Sequence, residues 1–157
     1  AMQNYLNEAW KKRDPASPLE TPLQALILAS IIEKEAALSH ERPQVAAVFL
    51  NRLKKNMAFQ SCATVIYAMT EGKRKLERKL LKSDLDFVSP YNTYLHRGFP
   101  PSPICCPGRA AIDAALHPAD TKDLFFVVNG EGGHHFSPSF TAHNRAIQEA
   151  KRSGAFK

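Results

Sequence analysis

Leu28-Ala29-Ser30-Ile31-Ile32-Glu33-Lys34-Glu35 sets two carboxylates into the end of a strongly apolar helical run. Residues three, four and seven apart share a helix face. Glu35 then lies beside Leu28, Ile31, Ile32 and Leu38. Glu33 lies about 200° around the helix, by the 3.6-residue repeat, beside Leu26, Ala29, Ser30, Ala36 and Ala37. Only one of the two can point into a given cleft. An ionised carboxylate on an apolar face costs free energy unless it is paired or solvated. Glu35 has the bulkier apolar company, so it is the better candidate for a carboxyl that keeps its proton near neutral pH and acts as a general acid. The plainer alternative is that both glutamates are ordinary, partly exposed helix residues.

Working outward, Thr21 as N-cap and Pro22 at the first helical position start this helix, which is expected to run to about Leu38. Upstream, residues 3–13 read as a short helix and Asp14 to Pro18 as a linker. The expected organisation is an N-terminal helix and linker over 1–19 and a single domain over 20–157. Downstream, Pro43 opens a helix through Leu53, and Ser61 or Thr64 caps another carrying Val65, Ile66 and Met69. Ser89 to Gly108 holds five prolines and cannot be regular helix or central strand. A loop of that length in a compact domain is usually functional. Arg109 to Leu116 reads as a short helix, Leu124 to Val128 and His134 to Ser137 as two strands around a Gly-rich turn, and Thr141 to Arg152 as a last helix. Early helices, one late hairpin and no βαβ alternation predict an α+β fold.

Composition suits one globular domain: 157 residues, 44% hydrophobic and 23% charged, with a net charge of +6. The positive charge concentrates in Lys73, Arg74, Lys75, Arg78, Lys79 and Lys82, interleaved with Leu76, Leu80 and Leu81. That spacing predicts an amphipathic basic helix with a solvated face. Cys62, Cys105 and Cys106 form no disulfide framework and no C-x-x-C site. No run approaches the roughly 18 to 20 apolar residues that span a bilayer. The chain opens on Ala1-Met2 and reads as a fragment, with a membrane anchor expected upstream.

Several segments line up in a fixed order: Leu28 to Glu35, Val48-Phe49-Leu50-Asn51-Arg52-Leu53, Thr64-Val65-Ile66-Tyr67, Tyr91-Asn92-Thr93-Tyr94, the double-proline loop to Pro107-Gly108, Leu124 to Phe136, and His143-Asn144. Over residues 20–150 this set resembles the catalytic domain of the endolytic murein transglycosylase (YceG-like) family. The resemblance implies cleavage within peptidoglycan glycan strands at the bond between N-acetylmuramic acid and N-acetylglucosamine. The muramic C6 hydroxyl closes on C1 and leaves a 1,6-anhydro end. The family's catalytic glutamate corresponds to Glu35. One carboxyl suffices, as acid and then base, because the nucleophile comes from the substrate.

Candidate substrate-binding residues are Gln60, Tyr91, Asn92, Tyr94 and His134. The tyrosines offer stacking faces and Asn92 hydrogen bonds to N-acetyl groups; a turn with packed aromatics is the alternative. Gln60 is either a sugar contact or a loop residue. His134 either orients substrate, pairs with a carboxylate or is structural. His143 and Asn144 cap or pin the last helix, and His117 is a loop residue. The histidine spacing predicts no metal, and no cofactor is expected. A pyridoxal-phosphate lyase, an older label for the family, would need a Schiff-base lysine and a phosphate cradle, and Lys34 lacks the latter. Nucleic-acid binding would rest on the basic segment alone. The resemblance makes peptidoglycan strands the partner, with cell-wall synthesis enzymes as further candidates. It implies a single-pass inner-membrane protein whose catalytic domain faces the periplasm. A non-catalytic peptidoglycan-binding module is the competing reading. This chain departs from the family at Cys62-Ala63, where Asp-Pro is usual, at Ser102, where Gly is usual, and at Cys106, where Asn is usual; the first departure bears on substrate affinity.

Overall fold

In the computed structural model, which describes residues 1–156, helix α2 (Pro22–Glu35) begins as Thr21-Pro22 predicts. The Thr21 hydroxyl accepts from the Gln24 N–H at 3.2 Å. Ala25 and every residue from Ile27 to Ile32 are buried. A helix apolar on all sides belongs in the middle of a domain, and α2 packs against α1 (Met2–Lys11), α3 (Arg42–Lys54), α4 (Cys62–Thr70) and α5 (Arg109–Leu116). Leu6 of α1 joins the same core as Leu28, Ile31, Ile32, Phe49, Ile112 and Leu116. Three alanines of α5, Ala111, Ala114 and Ala115, let it lie close against α2 and α3. Phe59 fills the centre edge-on to both Phe49 and Phe99, with ring centroids 5.4 Å apart in each pair.

Strands β1 (Phe125–Val128) and β2 (His134–Ser137) pair antiparallel, with Phe126 opposite Phe136 and Val128 opposite His134. Helix α6 (Phe140–Ser153) covers the hairpin, capped by the Ser139 hydroxyl at its start and by Gly154 at φ 80° at its end. Six α-helices and one two-stranded sheet among the described residues make the fold α+β. No helix among them is long and apolar enough to cross a membrane.

Two expectations are corrected. Helix α2 stops at Glu35 rather than Leu38: Ala36 turns extended (φ −103°, ψ 99°) while buried, and a 3-10 turn over Ser39–Glu41 leads into α3. Tertiary packing of Ala36 overrides helix propensity there. The basic segment forms no α-helix, and only Lys82 enters a short 3-10 turn (Lys82–Asp86). Helix α4 ends at Thr70 in two left-handed residues, Glu71 (φ 55°) and Gly72 (φ 70°), and residues 73–81 follow an irregular path. A helix over 73–82 would stack Arg74 on Arg78, Lys75 on Lys79 and Arg78 on Lys82, like-charge pairs four residues apart that oppose helix formation. Arg78 instead forks onto Asp84 at 2.7 and 3.1 Å.

The proline-rich loop is irregular as expected, and α2 anchors it. The Ile104 N–H donates to the Ser30 hydroxyl at 3.0 Å, and the Gly108 N–H donates to Glu33 Oε1 at 2.7 Å.

Candidate active site

Glu35 is the last residue of α2 and meets the first turn of α4. Its Oε1 accepts from the Ser61 hydroxyl at 2.6 Å and from the Ala63 N–H at 3.3 Å. Ser61 is the N-cap of α4 but makes no capping bond to its own helix. A helix start leaves N–H groups unsatisfied and carries partial positive charge, and here a carboxylate from a different helix meets that need. The surroundings of the carboxylate are therefore polar, unlike the apolar company its helix face predicts. Both contacts fall on Oε1, so Oε2 has no partner among the described residues. Glu33, by contrast, is spent on both oxygens: Oε1 takes the Gly108 N–H and Oε2 pairs with Arg42 at 3.2 Å.

A buried hydroxyl network fixes the Glu35 contacts. Thr93 Oγ1 accepts from the Ser61 N–H at 2.9 Å and lies 2.8 Å from Thr64 Oγ1, which donates to the Ser61 carbonyl at 2.7 Å. The network ties the start of α4 to the Tyr91–Tyr94 turn. Tyr94 then closes on the same turn of α4, its phenol oxygen 3.3 Å from Cys62 Sγ. Burial above all, helped by the Cys62 hydrogen bond, raises the Tyr94 phenol well above its ordinary range. Cys62 is exposed as a residue, yet desolvation of its thiol, reinforced by nearby Glu35, pushes the thiol up as well. Both groups therefore stay protonated and neutral at physiological pH. Behind them Arg52 is buried, donating from Nε to the Leu124 carbonyl at 2.7 Å and from its guanidinium to the Phe59 carbonyl. Burial lowers its pKa while Tyr94 and Glu35 oppose that shift, so its charge is felt by both.

The other sequence-predicted residues divide. Gln60 is exposed in a left-handed conformation (φ 53°) next to Ser61, with its N–H held by the Thr93 carbonyl at 3.2 Å. Tyr91 stacks at a tilt on Tyr67, centroids 4.9 Å apart, and its hydroxyl bonds Ser102 at 2.6 Å. Asn92 is fully buried, its amide donating to the Leu85 and Phe87 carbonyls at 2.9 and 2.8 Å. Its side chain has no surface to offer a sugar, so the expected N-acetyl contact gives way to a bracing role. The structure pairs His134 with a carboxylate: Glu41 takes its N–H at 2.8 Å and its Nδ1 at 3.0 Å, and its side chain is only 11% exposed. His143 stacks on Phe125, centroids 4.9 Å apart, and pins α6 to β1. Among the described residues no three His, Cys, Asp or Glu side chains group as a metal site.

Sequence reasoning missed Ser61 and Thr93 as parts of the site. Ser61 does carry a signal, since it stands at a helix N-cap. Its partner, Glu35, lies 26 residues away and is visible only in the folded chain.

Comparison with known proteins gives one consistent set of relatives. The model of the YceG-like family matches residues 1–149. An endolytic murein transglycosylase of Bacillus subtilis (strain 168) is 43% identical over 124 residues, covering 79% of this chain and 33% of that protein. One of Streptococcus pneumoniae serotype 2 is 32% identical over 130 residues, covering 80% of this chain and 23% of that protein. The crystal structure of a yceG-like protein from Listeria monocytogenes superposes with a TM-score of 0.73 at 35% identity, over 92% of this chain and 42% of that one. The chain thus spans a third or less of the length of these curated relatives.

Proposed function

Because this chain belongs to the YceG-like family, we propose that it carries the catalytic domain of an endolytic lytic transglycosylase acting on peptidoglycan. The bond cut joins N-acetylmuramic acid to N-acetylglucosamine, and the product ends in 1,6-anhydro-N-acetylmuramic acid. One observation carries the reading: Glu35 has one oxygen held by two donors and the other unengaged, while the neighbouring carboxylate, Glu33, is fully committed to scaffold contacts.

Chemistry with one carboxyl follows. Protonated Oε2 of Glu35 donates to the glycosidic oxygen as the C1–O bond breaks, and the pair of electrons leaves with the N-acetylglucosamine hydroxyl. The muramic C6 hydroxyl attacks C1, and its proton returns to the Glu35 carboxylate, restoring the enzyme. Water is not consumed. The Ser61 hydroxyl and Ala63 N–H fix which oxygen faces the sugar and hold the carboxylate through both halves. The neutral Tyr94 phenol and exposed Gln60 flank the same turn of α4 and supply contacts to the strand. Tyr91 presents a partly exposed ring farther along the loop, and Asn92 keeps that loop in shape. His134, locked to Glu41, orients the hairpin rather than the substrate. Such an enzyme works on the outer face of the inner membrane, held there by a segment upstream of this chain, with cell-wall synthesis enzymes as partners.

Digestion of purified murein followed by mass spectrometry tests the reading. Products should carry anhydro ends that resist borohydride reduction. Glu35→Gln should lower the rate by about 100- to 10,000-fold with an unchanged melting temperature, because Gln keeps an acceptor for Ser61 and Ala63. Glu33→Gln should do the reverse, lowering the melting temperature with little loss of rate. Reducible muramic ends would make the protein a hydrolase. Binding of strands without any cleavage would make it a carbohydrate-binding module.

A further inference from the structure

A groove of about 810 Å³ opens between α4, the segment 72–80 and the Ile104-Cys105 stretch of the proline-rich loop. Six cations line it: Lys34, Lys73, Arg74, Lys75, Arg78 and Lys79. Among the described residues, no acidic side chain lines it. Lys73 and Arg78 are neutralised from outside by Glu71 and Asp84. Among the described residues, Lys34, Arg74, Lys75 and Lys79 have no ion-pair partner. These side chains are exposed, and crowding unpaired like charges along one wall creates a positive potential that an anion relieves. The groove is not purely polar, since Ile66, Tyr67, Leu76, Leu80 and Ile104 also line it. The basic segment that spacing predicts as a solvated helix face is thus folded back to make a charged wall.

Glu35 itself does not line the groove, but two of its neighbours do. Lys34 is the chain neighbour of Glu35, and Ala63, whose N–H bonds Glu35, lines the groove itself. The anionic groups of a murein strand are the carboxylates of the short peptide carried by the lactyl group of N-acetylmuramic acid. The small apolar side chains of such a peptide suit the apolar part of the wall. We infer that this groove receives the peptide of the muramic unit at the cut, so that the enzyme selects peptide-bearing over peptide-free glycan. The inference rests on the transglycosylase reading above for its substrate.

The test compares uncrosslinked, peptide-bearing glycan strands with the same strands stripped by an amidase. At low salt, kcat/KM for peptide-bearing strands should exceed that for stripped strands by roughly tenfold, through KM, with the ratio falling as salt rises. In the Arg74→Gln/Lys75→Gln/Lys79→Gln variant the ratio should approach one. Equal kcat/KM on both substrates in the unmodified protein would overturn the inference while leaving the transglycosylase intact. So would a variant that lowers both rates in proportion. A variant that loses sedimentation with phosphatidylglycerol vesicles while keeping its substrate ratio would assign the groove to a lipid surface and overturn the inference too. Sedimentation of strands with Glu35→Gln reads the same preference without cleavage. Selective binding of peptide-bearing strands by a chain that cuts neither supports the groove and sinks the transglycosylase.

Discussion

Ser61 occupies the N-cap of α4, where a serine ordinarily satisfies its own helix, and gives its hydroxyl to Glu35. It is 2% exposed, so water does not compete for that bond. In the proposed mechanism Ser61 is a positioning residue, acting through Glu35. Ser61→Ala should leave the melting temperature nearly unchanged, since Glu35 Oε1 keeps the Ala63 N–H. It should lower kcat by about 10- to 150-fold, the equivalent of a hydrogen bond to a charged group of roughly 1.5–3 kcal/mol, with KM little altered. An unchanged kcat would confine Ser61 to packing. At this scale the divergence of the two glutamates was legible, because a period of 3.6 turns Glu33 and Glu35 to different faces, and they meet different partners. What surrounds each was not. Helical spacing records neighbours on one helix, whereas Ser61 and Gly108 arrive from 26 and 75 residues away and bring polar groups to faces that look apolar in isolation.

At the scale of elements, starts were easier to read than ends. Thr21-Pro22 opens α2 by local chemistry, a cap and a pre-set φ. Its end at Glu35 depends on burying Ala36 in the core, which no local pattern records. The segment 73–82 has helical leucine spacing, and its failure to form a helix follows from left-handed Glu71-Gly72 and stacked like charges. The hairpin and α6 were legible from two apolar runs around a Gly-rich turn, but their fastening was not. It relies on His143, stacked on Phe125 with a buried Nδ1 that finds no hydrogen-bond partner. Burial first, and then the charge of Arg52, lower the pKa of His143. The native state thus binds fewer protons here than the unfolded chain does below an ordinary histidine pKa of about 6.5. The stability that neutral His143 contributes is complete above that pH and is lost as pH falls through the lowered native value. His143→Phe keeps the stack and removes the unpartnered nitrogen. Its melting temperature at pH 7 should match or exceed the parent's, and its decline between pH 7 and pH 5 should be shallower. Parallel melting curves across that range would remove His143 from the acid response.

Across the whole molecule, three glutamates near the end of α2 each fasten a segment that comes later in the chain. Glu33 holds Gly108 at the start of α5, Glu35 holds the first turn of α4, and Glu41 holds His134 at the start of β2. Ser30 adds Ile104 of the proline-rich loop. The stretch from Ser30 to Glu41 is therefore the strut on which both walls of the site and the hairpin hang. Two of these clasps can be loosened one at a time. Ser30→Ala removes the acceptor of the Ile104 N–H, a buried donor whose loss of partner costs about 1–3 kcal/mol. Gly133→Ala places a Cβ 2.4 Å from Glu41 Oε1 and 3.1 Å from a Leu38 methyl, so Glu41 must move off His134. Overpacking of that kind costs about 1–3 kcal/mol. The two changes share no partner and sit on different segments, so their losses in unfolding free energy should add to within about 0.5 kcal/mol. Urea unfolding of both single variants and the double variant measures this. A double loss differing from the sum by more than about 1 kcal/mol would mean that the loop and the hairpin report on one another through the strut. The four clasps would then have to be treated as a single cooperative unit.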